Sequence, residues 1–138
     1  MLLTRHVDAN AALVALIEPL TPRDGFSPTN LPGVQVLRAS CDVARGPQIY
    51  EPSLMIVAQG SKVAYLGPRT LEYGAGHYLI QAMPVPFECE TFAMPNAPLL
   101  GVTVGIDRVV LGELVMAMGI QSGPPPAAQT LESMSSVV

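Results

Sequence analysis

Positive charge is scarce in this sequence: six Arg and a single Lys are scattered over 138 residues against 11 Asp and Glu, for a net charge of −4. Nucleic-acid binding needs a basic face or stripe, so these residues on their own are not expected to contact DNA. Long apolar runs are missing as well. The longest, Ala11 to Ile17, has seven residues, far short of the ~20 that span a bilayer. No small-residue cleavage site follows it, so neither a membrane anchor nor a secretory leader is expected. Cysteine is limited to Cys41 and Cys89, and histidine to His6 and His77. Two cysteines make no disulfide framework, and in the cytoplasmic setting expected here both thiols stay reduced. Charged residues reach only 13% while apolar ones make up 49%, which excludes a disordered chain. What is left is one folded domain able to bury roughly two-thirds of its unfolded surface.

Glycine and proline are abundant, 12 and 14 respectively, and both interrupt helices, so short strands joined by turns are favoured. Residues 1–20 hold a first helix, with Leu13, Leu16, Ile17 and Leu20 at helical spacing over 8–20 and Asp8 or Asn10 placed to cap its first turn. Residues 21–33 carry three prolines and two glycines and read as an irregular arm that wraps over a surface rather than pairing. The domain proper spans 34–118. Its candidate strands are 34–39, 53–59, 62–66, 70–73, 78–83, 87–92 and 99–104, at the spacing of an antiparallel sandwich or barrel. Hairpins are expected at Gln59-Gly60-Ser61, Gly67-Pro68-Arg69 and Gly74-Ala75-Gly76. The continuously apolar Leu54 to Ala58 predicts a central strand covered on both faces. Alternation puts Phe87 and Cys89 on one face of their strand and Glu88 and Glu90 on the other. A second helix is predicted over 107–118, capped by Asp107 and stopped by Gly119, with so little polar surface that cover on both sides, hence a partner, is expected. Residues 119–138 have the composition of a linker, and the chain is expected to be one domain of a longer protein.

Catalytic signatures fail by spacing. There is no G-x-S-x-G, H-E-x-x-H, phosphate-cradling glycine loop or paired-cysteine zinc motif. Two histidines cannot supply a three-His metal site within one chain, so no metal and no cofactor are expected. His77, after a glycine turn, reads either as a turn cap or as a polar group at the mouth of a pocket. Cys89 reads either as core filling or, less naturally between two glutamates, as a reactive thiol.

Tyr50-Glu51-Pro52-Ser53-Leu54-Met55-Ile56-Val57-Ala58-Gln59-Gly60-Ser61-Lys62, followed by Gly74-Ala75-Gly76-His77-Tyr78-Leu79 and Met83-Pro84-Val85-Pro86-Phe87, resembles the N-terminal domain of AraC-type transcriptional regulators. The arm Gly25-Phe26-Ser27-Pro28-Thr29-Asn30-Leu31-Pro32-Gly33-Val34 resembles that of a subgroup with a short leading helix. The resemblance runs from about Leu13 to Met118. It implies a mainly β, cupin-like antiparallel β-barrel or jelly roll with a short N-terminal helix and one C-terminal helix. It also implies a non-catalytic domain that senses a small-molecule effector or mediates dimerisation, with a homodimer as the expected assembly, and that reaches DNA only through a separate C-terminal helix-turn-helix domain. On that reading strand alternation offers Tyr50, Tyr65, His77, Gln81, Phe87 and Cys89 as the interior lining, with Arg38 to meet an anionic effector. The alternative is a small cupin-type metabolite enzyme built on His77, Glu88 and Glu90.

Overall fold

The computed structural model describes residues 2–81, 86–119 and 135–137. Helix α1 (Leu2–Ile17) and a 3-10 turn (Glu18–Leu20) lead into β1 (Gly25–Pro28), β2 (Val34–Ala39), β3 (Val43–Ile49), β4 (Ser53–Gln59), β5 (Ser61–Leu66) and β6 (Arg69–Gly74). Then come β7 (His77–Gln81), β8 (Pro86–Phe92), β9 (Leu99–Gly105), α2 (Arg108–Ala117) and β10 (Ser135–Val137). The strands form two antiparallel sheets, in the orders β1-β2-β9-β4-β7-β10 and β3-β8-β5-β6. No ladder joins the two sheets among the described residues, so the mainly β architecture is a two-sheet sandwich rather than a closed barrel.

Inward residues of both sheets make the principal core: Leu37, Met55, Val57, Ala64, Tyr73, Leu79, Phe87, Cys89 and Leu99 are all buried. A second cluster, Ile17, Val36, Ala58 and Leu100, lies under α1 on the outer face of the six-stranded sheet. The central strand β4 is therefore covered inside by the core and outside at Ala58 by α1. Asn10 sits inside α1, not at its start, and its side-chain amide donates to the Ala58 carbonyl at 2.7 Å. The expected helix start at 8–10 moves back to Leu2.

The arm does pair. β1 runs antiparallel to β2, with Phe26 opposite Leu37, because an edge position leaves one side of a proline-bearing strand free of the ladder. The same freedom explains β3, which holds Gly46 and Pro47 and lay outside the expected strands. It is an edge strand, and its register shifts between Val43 and Gly46. Of the three expected hairpins only Gly67-Pro68 is one, joining the paired strands β5 and β6 with a positive φ of 56° at the first loop residue. The turns at Gly60 and Gly74-Ala75-Gly76 are corners that carry the chain from one sheet to the other. Asp107 caps α2, accepting from the Val109 and Val110 amides at 2.8 and 3.3 Å. The end of the predicted strand 78–83 and most of the expected linker 119–138 lie outside the described residues.

At the corner, Gly60 has a φ of 83°, and a Cβ there would stand 2.9 Å from the Leu99 Cα. Gly67 also has a positive φ but open space around it. Gly67→Ala is expected to cost about 1 kcal/mol for the left-handed backbone alone. Gly60→Ala should cost at least about 1 kcal/mol more, because the backbone it meets cannot turn away. Urea unfolding of the two variants checks the order.

Candidate ligand site in the sandwich interior

Side chains alternate across a strand, and in β5 this sends Ala64 and Leu66 into the principal core. Lys62 shares their face and is 5% exposed. In register, Tyr73 of β6 stands opposite it on one side and Thr91 of β8 on the other. The Lys62 ammonium donates to the Tyr50 hydroxyl at 3.4 Å and lies 6.0 Å from that ring's centre. No carboxylate lies within ion-pair distance of it among the described residues. Tyr50, in the link between β3 and β4, is held edge-on by Phe87 at 5.2 Å and Phe26 at 6.5 Å. Its carbonyl accepts from the Gln81 side-chain amide at 3.2 Å. Tyr73 is 1% exposed, and its hydroxyl has no hydrogen-bond partner among the described residues. The buried Cys89 thiol interacts electrostatically with Lys62, Tyr50 and Tyr73, whereas Cys41 is exposed and free.

Tyr50 also walls a cavity of about 250 Å³ at the open end of the sandwich, together with Phe26, Gln35, Ser53, Met55 and Thr103 and with Glu51 and Pro52 at the adjoining link. The Pro52 carbonyl accepts from the Ile106 amide at 2.9 Å, tying this link to the segment that starts α2.

Of the residues expected to line the interior, the structure gathers Gln81, Phe87 and Cys89 around Tyr50, whose hydroxyl meets Lys62. It places the others elsewhere. Arg38 is on the outer face with Val36, 3.6 Å from Asp24 and 3.4 Å from the Ser40 hydroxyl. Tyr65 is on the outer face of the four-stranded sheet, where its hydroxyl donates to Glu90 at 2.7 Å and the Arg45 guanidinium stacks 3.8 Å from its ring centre. Arg45 pairs in turn with Glu88. His77 caps its turn, its Nδ1 accepting from the Gly74 amide at 3.2 Å. Glu88 and Glu90 thus face outward while His77 is occupied in the turn, and among the described residues no three His, Cys, Asp or Glu side chains gather as a metal site.

Lys62 is the residue that sequence reading missed. It has the opposite parity to Tyr65, so choosing Tyr65 as interior excluded it. Its signal was the lone lysine of the chain, set in a strand otherwise fit for a core.

Burial pulls the Lys62 amine below the usual lysine value and pushes the Tyr50 and Tyr73 hydroxyls well above the tyrosine range. The unfolded chain therefore holds the Lys62 proton more tightly than the native one. Its contribution is least favourable where the amine is charged in both states and improves as pH rises from the lowered native value towards ~10.4. The tyrosines act in the opposite sense only above ~10, where unfolded tyrosines lose protons that the folded ones keep. Lys62→Met is expected to be at least as stable as the parent at neutral pH. Its advantage should shrink between about pH 7 and about pH 10. Urea midpoints across that range check this, and an advantage that stays constant contradicts the burial of a charged amine.

Among the described residues no helix is long and apolar enough to cross a membrane. A family model described as the AraC-type transcriptional regulator N-terminus matches residues 30–137. Neither a curated protein nor a solved structure matches the chain. The matched stretch takes in β2 to β9, both faces of the sandwich and the cluster around Lys62, and the chain belongs to the family of AraC-type transcriptional regulator N-terminal domains.

Proposed function

We propose that this domain senses a small effector inside its sandwich and reports occupancy to the DNA-binding part of a cytoplasmic regulator, catalysing no reaction itself. Domains of this family are generally non-enzymatic. The observation that carries the reading is the cavity of about 250 Å³ at the open end of the sandwich, close to the lower end of ligand sites at ~300 Å³. Its walls mix aromatic and aliphatic side chains with a few polar groups, Gln35, Ser53 and Thr103. Phe26 brings the arm strand β1 to this cavity and Pro52 brings the segment ahead of α2, so an occupant touches two elements through which its presence can be passed on. A ligand that binds only the folded chain raises the melting temperature. A metabolite panel is expected to yield compounds that do so, and Thr103→Phe, which fills the cavity, should abolish the shift. A shift that persists in Thr103→Phe, or a panel without any shift, overturns the reading.

A second reading, dimerisation, rests on α2. No residue of that helix is buried, and Val109, Val110, Leu111, Leu114 and Met116 are all at least 48% exposed. The expected cover on both faces is not supplied by the rest of the described chain. Between α2 and the outer face of β4, β7 and β9 runs an apolar groove of about 690 Å³, lined by Leu54, Ile80, Val104, Ile106 and Leu111. Contiguous apolar surface of this kind marks contact sites, and a second copy of the chain would bury it. Light scattering after gel filtration is expected to show a dimer that the double change Val110→Glu and Leu114→Glu converts to monomer. A monomeric parent chain at micromolar concentration contradicts this role.

A further inference from the structure

The effector class can be read from the groups that surround Lys62. A buried ammonium with no anionic partner is costly, and a buried hydroxyl without a partner costs about 1–3 kcal/mol. The interior of this sandwich contains both, Lys62 and Tyr73, each at most 5% exposed. Tyr50 accepts from Lys62, which leaves its own proton to be donated. Three hydrogen-bond donors thus converge on the Cys89 thiol, whose sulfur is a weak acceptor, and among the described residues no carboxylate answers them. The cavity meets this cluster only at Tyr50, which lines it and accepts from Lys62, so that Lys62 stands behind Tyr50 rather than in the cavity wall. Glu51, at the rim, is exposed to water, where its charge is screened.

We propose that the ligand is a small carboxylate with an apolar body, its body lying against Phe26, Tyr50 and Met55 and its carboxylate accepting from the Tyr50 hydroxyl, to which the Lys62 ammonium donates from behind. A carboxylate is acceptor-only when ionised, which is what this set of donors lacks. Its arrival sets an anion close to the buried Lys62 ammonium and offsets the cost of burying that charge. Size adds a constraint, because the cavity is too small for a nucleotide and its walls are too apolar for a phosphate ester. The proposal rests on the sensing reading and narrows it.

The test is calorimetric titration of the whole chain with matched pairs of probes, hexanoate against hexanamide and phenylacetate against phenylacetamide. Each amide keeps the shape of its acid and removes the charge. The carboxylates are expected to bind at least about tenfold more tightly than their amides, a gap of about 1.4 kcal/mol. In Lys62→Met, which keeps the side chain's length, that gap should close while amide binding persists and certifies the fold. Amides that bind the parent as well as the acids do would overturn the carboxylate assignment and leave effector sensing standing. A gap that survives Lys62→Met removes Lys62 from the site. If none of the four probes binds at millimolar concentration the carboxylate proposal falls, whereas the sensing reading is decided separately by the metabolite panel and Thr103→Phe.

Discussion

Gly60 and Leu99 come so close that no side chain fits between them, and this contact decides which way two strands face. It lies at the corner where the chain leaves the six-stranded sheet at the end of β4 and enters the four-stranded sheet as β5. Leu99 is fully buried and heads β9, the neighbour of β4. The corner thereby fixes the phase of β5 against the core, and the phase of a strand has only two values. With Ala64 and Leu66 turned inward, Lys62 must follow them and Tyr65 must not.

The strands whose apolar residues recur between turn signals were legible from the sequence: β2, β5, β6, β8 and β9 lie where that spacing predicts them, and β4 where its continuous apolar run does. β1 and β3 were not, since each carries proline and glycine that argue against a strand. Only their place at a sheet edge, a tertiary fact, makes those residues acceptable. Glycine turns were recognised as turns but not by type. Gly60, Gly67 and Gly76 share a positive φ, yet only Gly67 joins strands that pair. Nothing local distinguishes a hairpin from a corner between sheets. At the N-terminus Asn10 looked like a cap, and its actual partner is 48 residues away.

The candidate site was half legible for the same reason. Tyr50, Gln81, Phe87 and Cys89 were assigned to the interior by strand alternation; in the structure Phe87 and Cys89 are core residues, Tyr50 packs against them and Gln81 is bonded to the Tyr50 carbonyl. Arg38 and Tyr65 were placed there by the same rule and are one residue out of phase, each satisfied instead on an outer face by Asp24 and by Glu90. Polar residues that find partners outside are no guide to an interior. Lys62, whose partners among the described residues are a tyrosine hydroxyl and the Cys89 thiol, is a better one.

The short bond from the Ile106 amide to the Pro52 carbonyl has a thermodynamic corollary. Pro52 borders both the interior cavity and the groove under α2, so the two spaces have one wall in common. Wherever two sites share a structural element whose position each prefers differently, their binding free energies are coupled, and the coupling is equal in both directions. If the proposed effector and the proposed second copy each prefer a different position of that wall, either would change the affinity of the other by the same factor. On the proposed reading, the shared wall would make the domain as much a reader of its neighbours as of its ligand.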